Sequence, residues 1–237
     1  MAIDIGNTRT KVGIFKSSKL TEVLVDPAME KLPDHIKKEQ IDKVIISSVG
    51  HDPQKIVTEL DPKYFIILDH NTEVPLVNGY SSPQTLGMDR LAAVVGAQAR
   101  FPKTNCLVID AGTSITYDFV DLELKYHGGA ISPGIDLRYR ALNDHTQRLP
   151  LLSDKTSAPL IGADTKSAIK SGVLNGVLAE IEGIIHRYEQ KFSNLQVIMC
   201  GGDAAFFESM VKAPIFVIPN LVLVGLNVIL QHNVQKN

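Results

Sequence analysis

The sequence predicts an α/β fold built from two related domains, and three observations support this prediction. Short apolar, β-rich runs alternate with helical stretches along the chain. The pattern restarts near residue 105, and a strand, an aspartate and a glycine turn occur in both halves, as Ile3-Asp4-Ile5-Gly6-Asn7-Thr8 and Ile109-Asp110-Ala111-Gly112-Thr113-Ser114. This period is far too long for a solenoid. We therefore expect two α/β domains that face each other, at residues 1–103 and 104–237.

The first half reads as a hairpin followed by alternating strands and helices. Ala2 to Ile5 has the apolar character of a buried strand, and Gly6 and Asn7 suit the positive φ of a tight reversal. Apolar spacing predicts the remaining elements. The strands are expected at residues 11–15, 43–49 and 64–68, and the helices at 28–38, 53–60 and 85–101.

The second half repeats this alternation. Strands are predicted at residues 105–110, 115–120 and 196–199, and helices at 135–142, 166–192 and 220–232. The apolar run from Leu221 to Leu230 is too short to span a membrane, which takes about 20 residues. We expect it to pack on the C-terminal sheet or at a subunit interface.

Composition excludes several classes of protein. The 237 residues are 44% hydrophobic and 21% charged, which is typical of globular chains. The formal net charge of -2 gives no basic surplus for binding nucleic acid. The two cysteines cannot form a disulfide framework, and we expect neither a leader peptide nor a membrane span. The sequence thus predicts a soluble, cytoplasmic protein that does not bind a membrane.

The two aspartate-glycine turns carry the residue types that a nucleoside triphosphate needs. In the first turn Gly6 permits close approach, Asn7 and Thr8 can donate hydrogen bonds, and Lys11 can meet a phosphate. Asp4 can hold Mg²⁺, directly or through water. Taken alone, this turn is equally compatible with an ordinary Asn-Gly-type hairpin. A second copy at 110–113 favours two turns that clamp one polyphosphate, although an old duplication could have lost its role.

A third motif, Gly87-Met88-Asp89-Arg90, stands at the start of a predicted helix. A carboxylate beside a guanidinium at a helix N-terminus is usually a structural ion pair or a partner of the helix dipole. In the functional interpretation, Asp89 is the general base toward a substrate hydroxyl and Arg90 stabilises the anionic substrate or the phosphoryl group. The spacing alone does not decide between the two.

Together these motifs resemble type III pantothenate kinase, and the resemblance covers essentially the whole chain. It rests on a set of motifs that occur in a fixed order along the chain, and this ordered set is more specific than any single motif. The set comprises Asp4-Ile5-Gly6-Asn7-Thr8, Gly87-Met88-Asp89-Arg90, Asp110-Ala111-Gly112-Thr113, Gly128-Gly129-Ala130-Ile131-Ser132-Pro133-Gly134, Thr146-Gln147-Arg148-Leu149-Pro150, Gly162-Ala163-Asp164-Thr165 with Gly172, and Gly201-Gly202-Asp203.

The resemblance implies a fold, an activity and cofactors. The family belongs to the actin, hexokinase and Hsp70-like superfamily, with two duplicated ribonuclease-H-like (actin-like ATPase) domains and a central interdomain cleft. Its members use ATP to phosphorylate the primary hydroxyl of pantothenate to 4'-phosphopantothenate, the first step of coenzyme A biosynthesis. They need Mg²⁺ and a monovalent cation, K⁺ or NH₄⁺, and are homodimers.

The resemblance also implies roles for individual residues. Asp89 is expected to be catalytic as the proton acceptor, Asp110 to hold the monovalent cation, and Asp4 to hold Mg²⁺, directly or through water. The residues expected to bind ATP are Asp4, Ile5, Gly6, Asn7, Thr8, Arg9, Thr10, Lys11, Thr113, Gly201 and Gly202. The residues expected to bind pantothenate are Tyr80, Gly87, Met88, Asp89, Arg90 and Thr165.

Two alternatives stay open from the sequence. One is another small-molecule kinase of the same superfamily, because its phosphate turns would look alike and only the acceptor pocket would differ. The other is a non-catalytic regulatory protein, since members of the family have also been described as accessory transcription factors. The charge balance and the lack of a recognisable DNA-binding helix pair argue against direct contact with DNA.

Overall fold

The computed structural model describes residues 1–16, 18–49, 53–60 and 63–235. The chain divides into two compact units. The first contains residues 1–103, 120–128 and 220–237, and the second contains residues 104–119 and 129–219. This division and the sequence-based one both place a boundary between residues 103 and 104. They differ in that the contacts assign residues 120–128 and 220–237 to the first unit.

Strands and helices alternate as the sequence pattern predicts, with five additions among the described residues. The strands are β1 (Ala2–Ile5), β2 (Thr10–Lys16), β3 (Lys19–Val25), β4 (Lys43–Ser48), β5 (Tyr64–Ile67), β6 (Val77–Asn78), β7 (Asn105–Ala111), β8 (Ser114–Val120), β9 (Lys125–Pro133), β10 (Leu195–Cys200) and β11 (Phe216–Val217). The helices are α1 (Leu32–Glu39), α2 (Pro53–Leu60), α3 (Met88–Arg100), α4 (Ile135–Asp144), α5 (Thr165–Lys191), α6 (Ala204–Glu208) and α7 (Leu221–Val234). The five elements that the sequence pattern did not predict are β3, β6, β9, β11 and α6.

The two sheets share one strand order. In the first unit the order is β3-β2-β1-β4-β5, with β1 antiparallel to β2 and parallel to β4. The second sheet has the order β11-β10-β7-β8-β9-β6. Read from β9 to β11, its strands occur in the same order as those of the first sheet, since β1 and β7 are both central and each lies beside the strand that comes directly after it in the chain. This repeated order supports the predicted duplication.

The first sheet is covered on both faces. Ile3, Ile5 and Ile46 point toward α1 and α2 in one buried cluster. Ala2 and Ile45 point to the other face and pack with residues of α3 and α7. This alternation follows from the period of two along a strand.

Helix α7 packs on the first sheet, so its predicted packing on the C-terminal sheet is wrong. It crosses α3 at two glycines that let the backbones approach closely. A Cβ on Gly96 would lie 2.6 Å from the carbonyl oxygen of Leu221, and one on Gly225 would overlap the carbonyl oxygen of Ala92. The prediction failed for a physical reason: the close packing of α7 on α3 depends on one glycine in each helix. No pattern within either helix shows that these two glycines meet.

The second unit has its own core, in which α5 packs with the sheet through residues such as Val177, Ile181 and Ile185. A polar network joins α4, α5 and β8 beside this core. The Tyr117 hydroxyl donates to Glu180 Oε1 at 2.8 Å, and Arg138 Nη2 donates to Glu180 Oε2 at 2.5 Å. Burial alone would raise the pKa of Glu180, but these hydrogen bonds outweigh it and hold the pKa below its usual 4.5.

Candidate active site

The first aspartate-glycine turn, residues 6–9, joins β1 to β2 as a hairpin. The Gly6 amide donates to the carbonyl oxygen of Arg9 at 3.0 Å, and the Thr10 amide donates to Asp26 Oδ1 at 2.8 Å. Neither Gly6 nor Asn7 has positive φ, so that part of the sequence argument is wrong. Instead, a Cβ on Gly6 would approach the Arg9 carbonyl oxygen to 3.2 Å, so glycine keeps the turn tight.

The turn leaves its donors accessible. The side chains at positions 7–9 are exposed. A cavity of about 290 Å³ borders the turn and is lined by residues 5–10 together with Asp26, Met29 and Ile56. Backbone amides and short polar side chains at the rim of such a cavity are suited to an anionic ligand.

Asp4 lies between a hydroxyl and a cation on one face of the first sheet. It pairs with Lys11 across β2 and with Ser47 across β4. Residues paired in register point to the same face, so all three share the face that Ala2 and Ile45 define. A carboxylate near the carboxyl end of a parallel strand, beside a lysine, offers one oxygen ligand and one charge for a metal-bound phosphate.

Mg²⁺ fits this donor set. Among the residues that the structure describes, no three His, Cys, Asp or Glu side chains form a metal-binding group. Mg²⁺ does not need such a group, because it keeps several waters and is commonly held by one or two carboxylates plus substrate phosphates. Asp4 would supply the protein ligand, directly or through water.

The predicted acceptor residues meet at the start of α3. Gly87 precedes the helix, and Asp89 lies in its first turn. The Arg90 amide donates to Asp89 Oδ1 at 2.9 Å, which turns the carboxylate back over the helix N-terminus. A Cβ on Gly87 would come within 2.5 Å of that oxygen, so glycine leaves the room that the carboxylate occupies.

Arg90 is held by an aromatic stack in the same unit. Its side chain is buried, and its Cζ lies 5.7 Å from the centre of the Tyr80 ring. The Tyr80 ring in turn stacks on Tyr126, with centroids 6.1 Å apart. Gly128, at φ +88°, faces the Tyr80 ring at a distance that a Cβ would violate. The structure thus brings Tyr80 and Arg90 together and explains one glycine of the Gly128-Gly129 motif.

The second aspartate-glycine turn lies in the second unit, between β7 and β8. The Gly112 amide donates to the carbonyl oxygen of Ser114 at 3.1 Å, and the Gly134 amide donates to that of Thr113 at 3.0 Å. Thr113 is exposed and Asp110 half-buried. The turn therefore presents the Thr113 side chain at the surface and has a carboxylate next to the end of its strand, while the binding roles of both stay predictions.

The Gly201-Gly202 pair follows β10, next to Asp110. β10 runs parallel to β7, and Cys200 pairs with Asp110. Gly201 has φ +95°, and a Cβ there would overlap the Ala111 carbonyl oxygen and the Asp110 carboxylate. Gly202 has open space where its side chain would be. Only Gly201 is thus required by the local backbone, while Gly202 leaves room for a ligand.

Thr165 is the first residue of α5 and is exposed. The helix begins with a capping box, in which the side chain of Asp164 accepts from the Ser167 amide and the Ser167 hydroxyl bonds back to the Asp164 backbone. The capping box fixes the start of the helix, and the Thr165 side chain lies at the surface.

Sequence reasoning missed a charged cluster beside the Gly201-Gly202 pair. Lys155 Nζ lies 2.7 Å from Asp203 Oδ1 and 3.0 Å from Asp136 Oδ2. Burial lowers the pKa of Lys155, but the hydrogen bonds to the two carboxylates outweigh it and raise the pKa above its usual value. The three residues are too far apart in sequence for any spacing rule to find them.

The structure therefore gathers the predicted residues into two sets. Asp4 to Lys11, Tyr80 and Gly87 to Arg90 belong to the first unit, and Asp110, Thr113, Thr165, Gly201 and Gly202 belong to the second. The cleft that would join the two sets stays a prediction. Within the described part of the chain, no helix combines the length and apolar character that a membrane span requires.

Solved structures share this fold at low sequence identity. A Campylobacter jejuni protein assigned to the Baf family of transcriptional activators matches with a TM-score of 0.63 and 19% identity, covering 99% of this chain and 98% of that one. A Sinorhizobium meliloti protein assigned as a 2-dehydro-3-deoxygalactonokinase matches with a TM-score of 0.57 and 14% identity, covering 98% of both chains. At such identities the likeness is one of fold.

Two α/β units with a repeated strand order, each with an aspartate-glycine hairpin, define a protein of the actin-like ATPase fold class. A family model described as type III pantothenate kinase matches residues 1–187. The chain belongs to the type III pantothenate kinase family, which confirms the predicted resemblance. Relatives with that name include one from Cytophaga hutchinsonii, 39% identical over 99% of both chains, and one from Phocaeicola vulgatus, 43% identical over 98% of both.

Proposed function

We propose that this protein transfers the terminal phosphoryl group of ATP to the primary hydroxyl of pantothenate and forms 4'-phosphopantothenate, the first step of coenzyme A biosynthesis. The observation that carries the proposal is its membership of the family over nearly its full length. The location of most of the proposed site residues at a turn, a strand end or a helix start adds support.

The first turn is proposed to bind the phosphates of ATP. The exposed side chains of residues 7–9 are proposed to donate hydrogen bonds to the phosphates, and Lys11 places a positive charge beside Asp4 on the sheet face. Bound Mg²⁺ would neutralise part of the phosphate charge. Thr113, Gly201 and Gly202 are proposed to contact ATP from the second unit, where Gly202 leaves open space.

Asp89 is proposed to orient the acceptor hydroxyl and to take its proton late in the transfer. Phosphoryl transfer passes through a loose transition state, so positioning matters more than a strong base. The hydrogen bond from the Arg90 amide holds the Asp89 carboxylate in one orientation. Arg90, whose guanidinium lies over the Tyr80 ring, is proposed to meet the pantothenate carboxylate with its positive charge. Gly87, Met88 and Thr165 are likewise proposed to bind pantothenate.

The monovalent cation, K⁺ or NH₄⁺, is proposed to bind at Asp110. This carboxylate stands at the end of a buried strand, in contact with the backbone of the Gly201 turn. A cation there would offset the negative charge that ATP brings close to Asp110.

A homodimer in the cytoplasm is the proposed working form. Leu160 and Ile161 of the second unit are 82% and 83% exposed, and Ile131 and Leu151 are also exposed, which favours a partner surface. Two free buried cysteines, Cys106 and Cys200, fit a reducing compartment. Analytical ultracentrifugation of Leu160→Glu beside the unmodified protein tests the dimer, and a dimer that persists unchanged contradicts this surface.

A coupled assay of ADP release tests the activity. The protein is supplied with ATP, Mg²⁺ and K⁺, and with pantothenate or one member of a panel of sugars and short acids. We expect ADP to be released when pantothenate is the acceptor and with no other member of the panel. Release with a sugar instead would identify another small-molecule kinase, and folded protein that is inactive with every acceptor would favour a regulatory role.

A further inference from the structure

Ser47 in β4 has an unexplained hydroxyl. Its side chain is fully buried, and its Oγ has no hydrogen-bond partner in the structure. Buried hydroxyls nearly always have a partner, because losing the hydrogen bonds to water without replacing them destabilises the fold. An alanine at this position would avoid the free-energy penalty of burying a hydroxyl without a hydrogen bond. The serine therefore calls for an explanation other than folding.

The position of Ser47 supplies one. It pairs in register with Asp4 on the neighbouring parallel strand, near the carboxyl ends of both strands. Both side chains point to the face that α3 and α7 cover, where Ala2 and Ile45 are packed. Ser48, one residue further, points to the opposite face together with Ile46.

We propose that Ser47 is a positioning residue for the divalent cation, which donates its hydroxyl hydrogen to the Asp4 carboxylate when metal and nucleotide are bound. The inference rests on the proposed function, in which Asp4 holds Mg²⁺ directly or through water. A carboxylate that ligates a metal is usually oriented by a second hydrogen bond, and the loss of such a partner typically weakens metal binding by about 10- to 100-fold.

The registered neighbour is the residue that geometry favours for this role. Neighbouring strands lie about 4.7–4.9 Å apart and side chains paired in register share one face, so a rotation of the serine about χ1 can bring its Oγ within reach of the neighbouring carboxylate. Lys11, on the other side of Asp4, carries a charge that is proposed to meet phosphate. Ser47, on the β4 side, is the registered neighbour whose hydroxyl can donate a hydrogen bond to the carboxylate.

Binding of Mn²⁺, followed by electron paramagnetic resonance in the presence of a non-hydrolysable ATP analogue, tests the proposal without any turnover. We compare Ser47→Ala with Ser47→Thr, which keeps the hydroxyl, and with Ser48→Ala as the matched control on the opposite face. We expect Ser47→Ala to bind Mn²⁺ about 10-fold more weakly or worse. Ser47→Thr and Ser48→Ala are expected to stay within about three-fold of the unmodified protein, well short of that effect.

Thermal unfolding without ligand separates this role from a structural one. Removal of the unpartnered hydroxyl should leave the midpoint of Ser47→Ala unchanged or raise it, even though its metal binding is weaker. Unchanged Mn²⁺ affinity in Ser47→Ala overturns the proposal, as does equal weakening in Ser48→Ala. If the unmodified protein binds Mn²⁺ with nucleotide but does not phosphorylate pantothenate, the proposed function fails while the role of Ser47 stands. If it binds no Mn²⁺ with nucleotide, both fail.

Discussion

Replacing Gly96 by alanine should destabilise the first unit, although alanine is the better helix former. Gly96 lies in α3 where that helix crosses α7. A Cβ there would lie 2.6 Å from the Leu221 carbonyl oxygen and 3.1 Å from the Gly225 nitrogen. Both neighbours are backbone atoms, so no side-chain rotation relieves the contact, and the helices must separate.

The size of the effect follows from two opposing contributions. Real Cβ atoms essentially never approach closer than 3.0 Å, so the two helices must move apart by at least about 0.4 Å at this contact. Overpacking of this kind costs about 1–3 kcal/mol. The intrinsic gain of alanine over glycine within a helix is about 0.8–1.0 kcal/mol. We therefore expect a net loss of up to about 2 kcal/mol in the free energy of unfolding.

The matched control is Gly176→Ala in α5, where a Cβ would meet nothing within 4 Å. It keeps the gain in helix propensity without the contact, so it should stabilise the protein by up to about 1 kcal/mol. Urea unfolding followed by far-ultraviolet circular dichroism measures both variants. Equal stabilisation by the two substitutions would refute the reasoning, because it would mean that α3 and α7 do not approach closely at Gly96.

Three further predictions concern the site and its support. Asp89→Asn should keep nucleotide affinity, by calorimetry, but lose about 10²- to 10⁴-fold in kcat; near-normal turnover would remove Asp89 from the chemistry. Gly201→Ala should lower the free energy of unfolding by at least about 1–2 kcal/mol, measured in urea, because φ of +95° is strained for alanine and the Cβ has no room; an unchanged midpoint would contradict this. The depressed pKa of Glu180 means that its ionised form stabilises the fold at pH values above its usual 4.5, and that this contribution is lost as the pH falls through the lower value in the folded protein. Glu180→Gln should therefore lower the thermal midpoint at neutral pH and do so less in acid; a loss independent of pH would argue against the ionised network.

Local patterns were sufficient for most strands and helices and for the turns that carry the site. Ala2 to Ile5 and Asn105 to Asp110 are short apolar runs with an aspartate at or next to their end, and such runs are typical of buried strands. β9 was missed because its Gly128-Gly129 pair resembles a loop. The strand retains the pair because a Cβ on Gly129 would overlap the Tyr117 carbonyl oxygen, a requirement of packing that no local pattern reveals.

Contacts distant in sequence could not be predicted. The pattern of α7 is apolar over most of its surface, so it predicts a buried helix but not the surface that buries it. Its fit to α3 depends on Gly96 and Gly225 together. The bridges from Lys155 to Asp136 and Asp203 likewise join charged residues that, read singly, would be solvated. The burial of Ser47 was also invisible, because a serine at a strand end is ordinarily exposed.

The return of α7 to the first sheet has a consequence for biosynthesis. The apolar face formed by Ala2, Ile45 and Ala92 leaves the ribosome long before the helix that covers it, since about 120 residues separate the end of α3 from the start of α7. At a translation rate of roughly 5–20 residues per second, α7 is synthesised on the order of 6–24 s after the apolar face that it buries. The nascent chain is therefore a natural client for a chaperone during that interval.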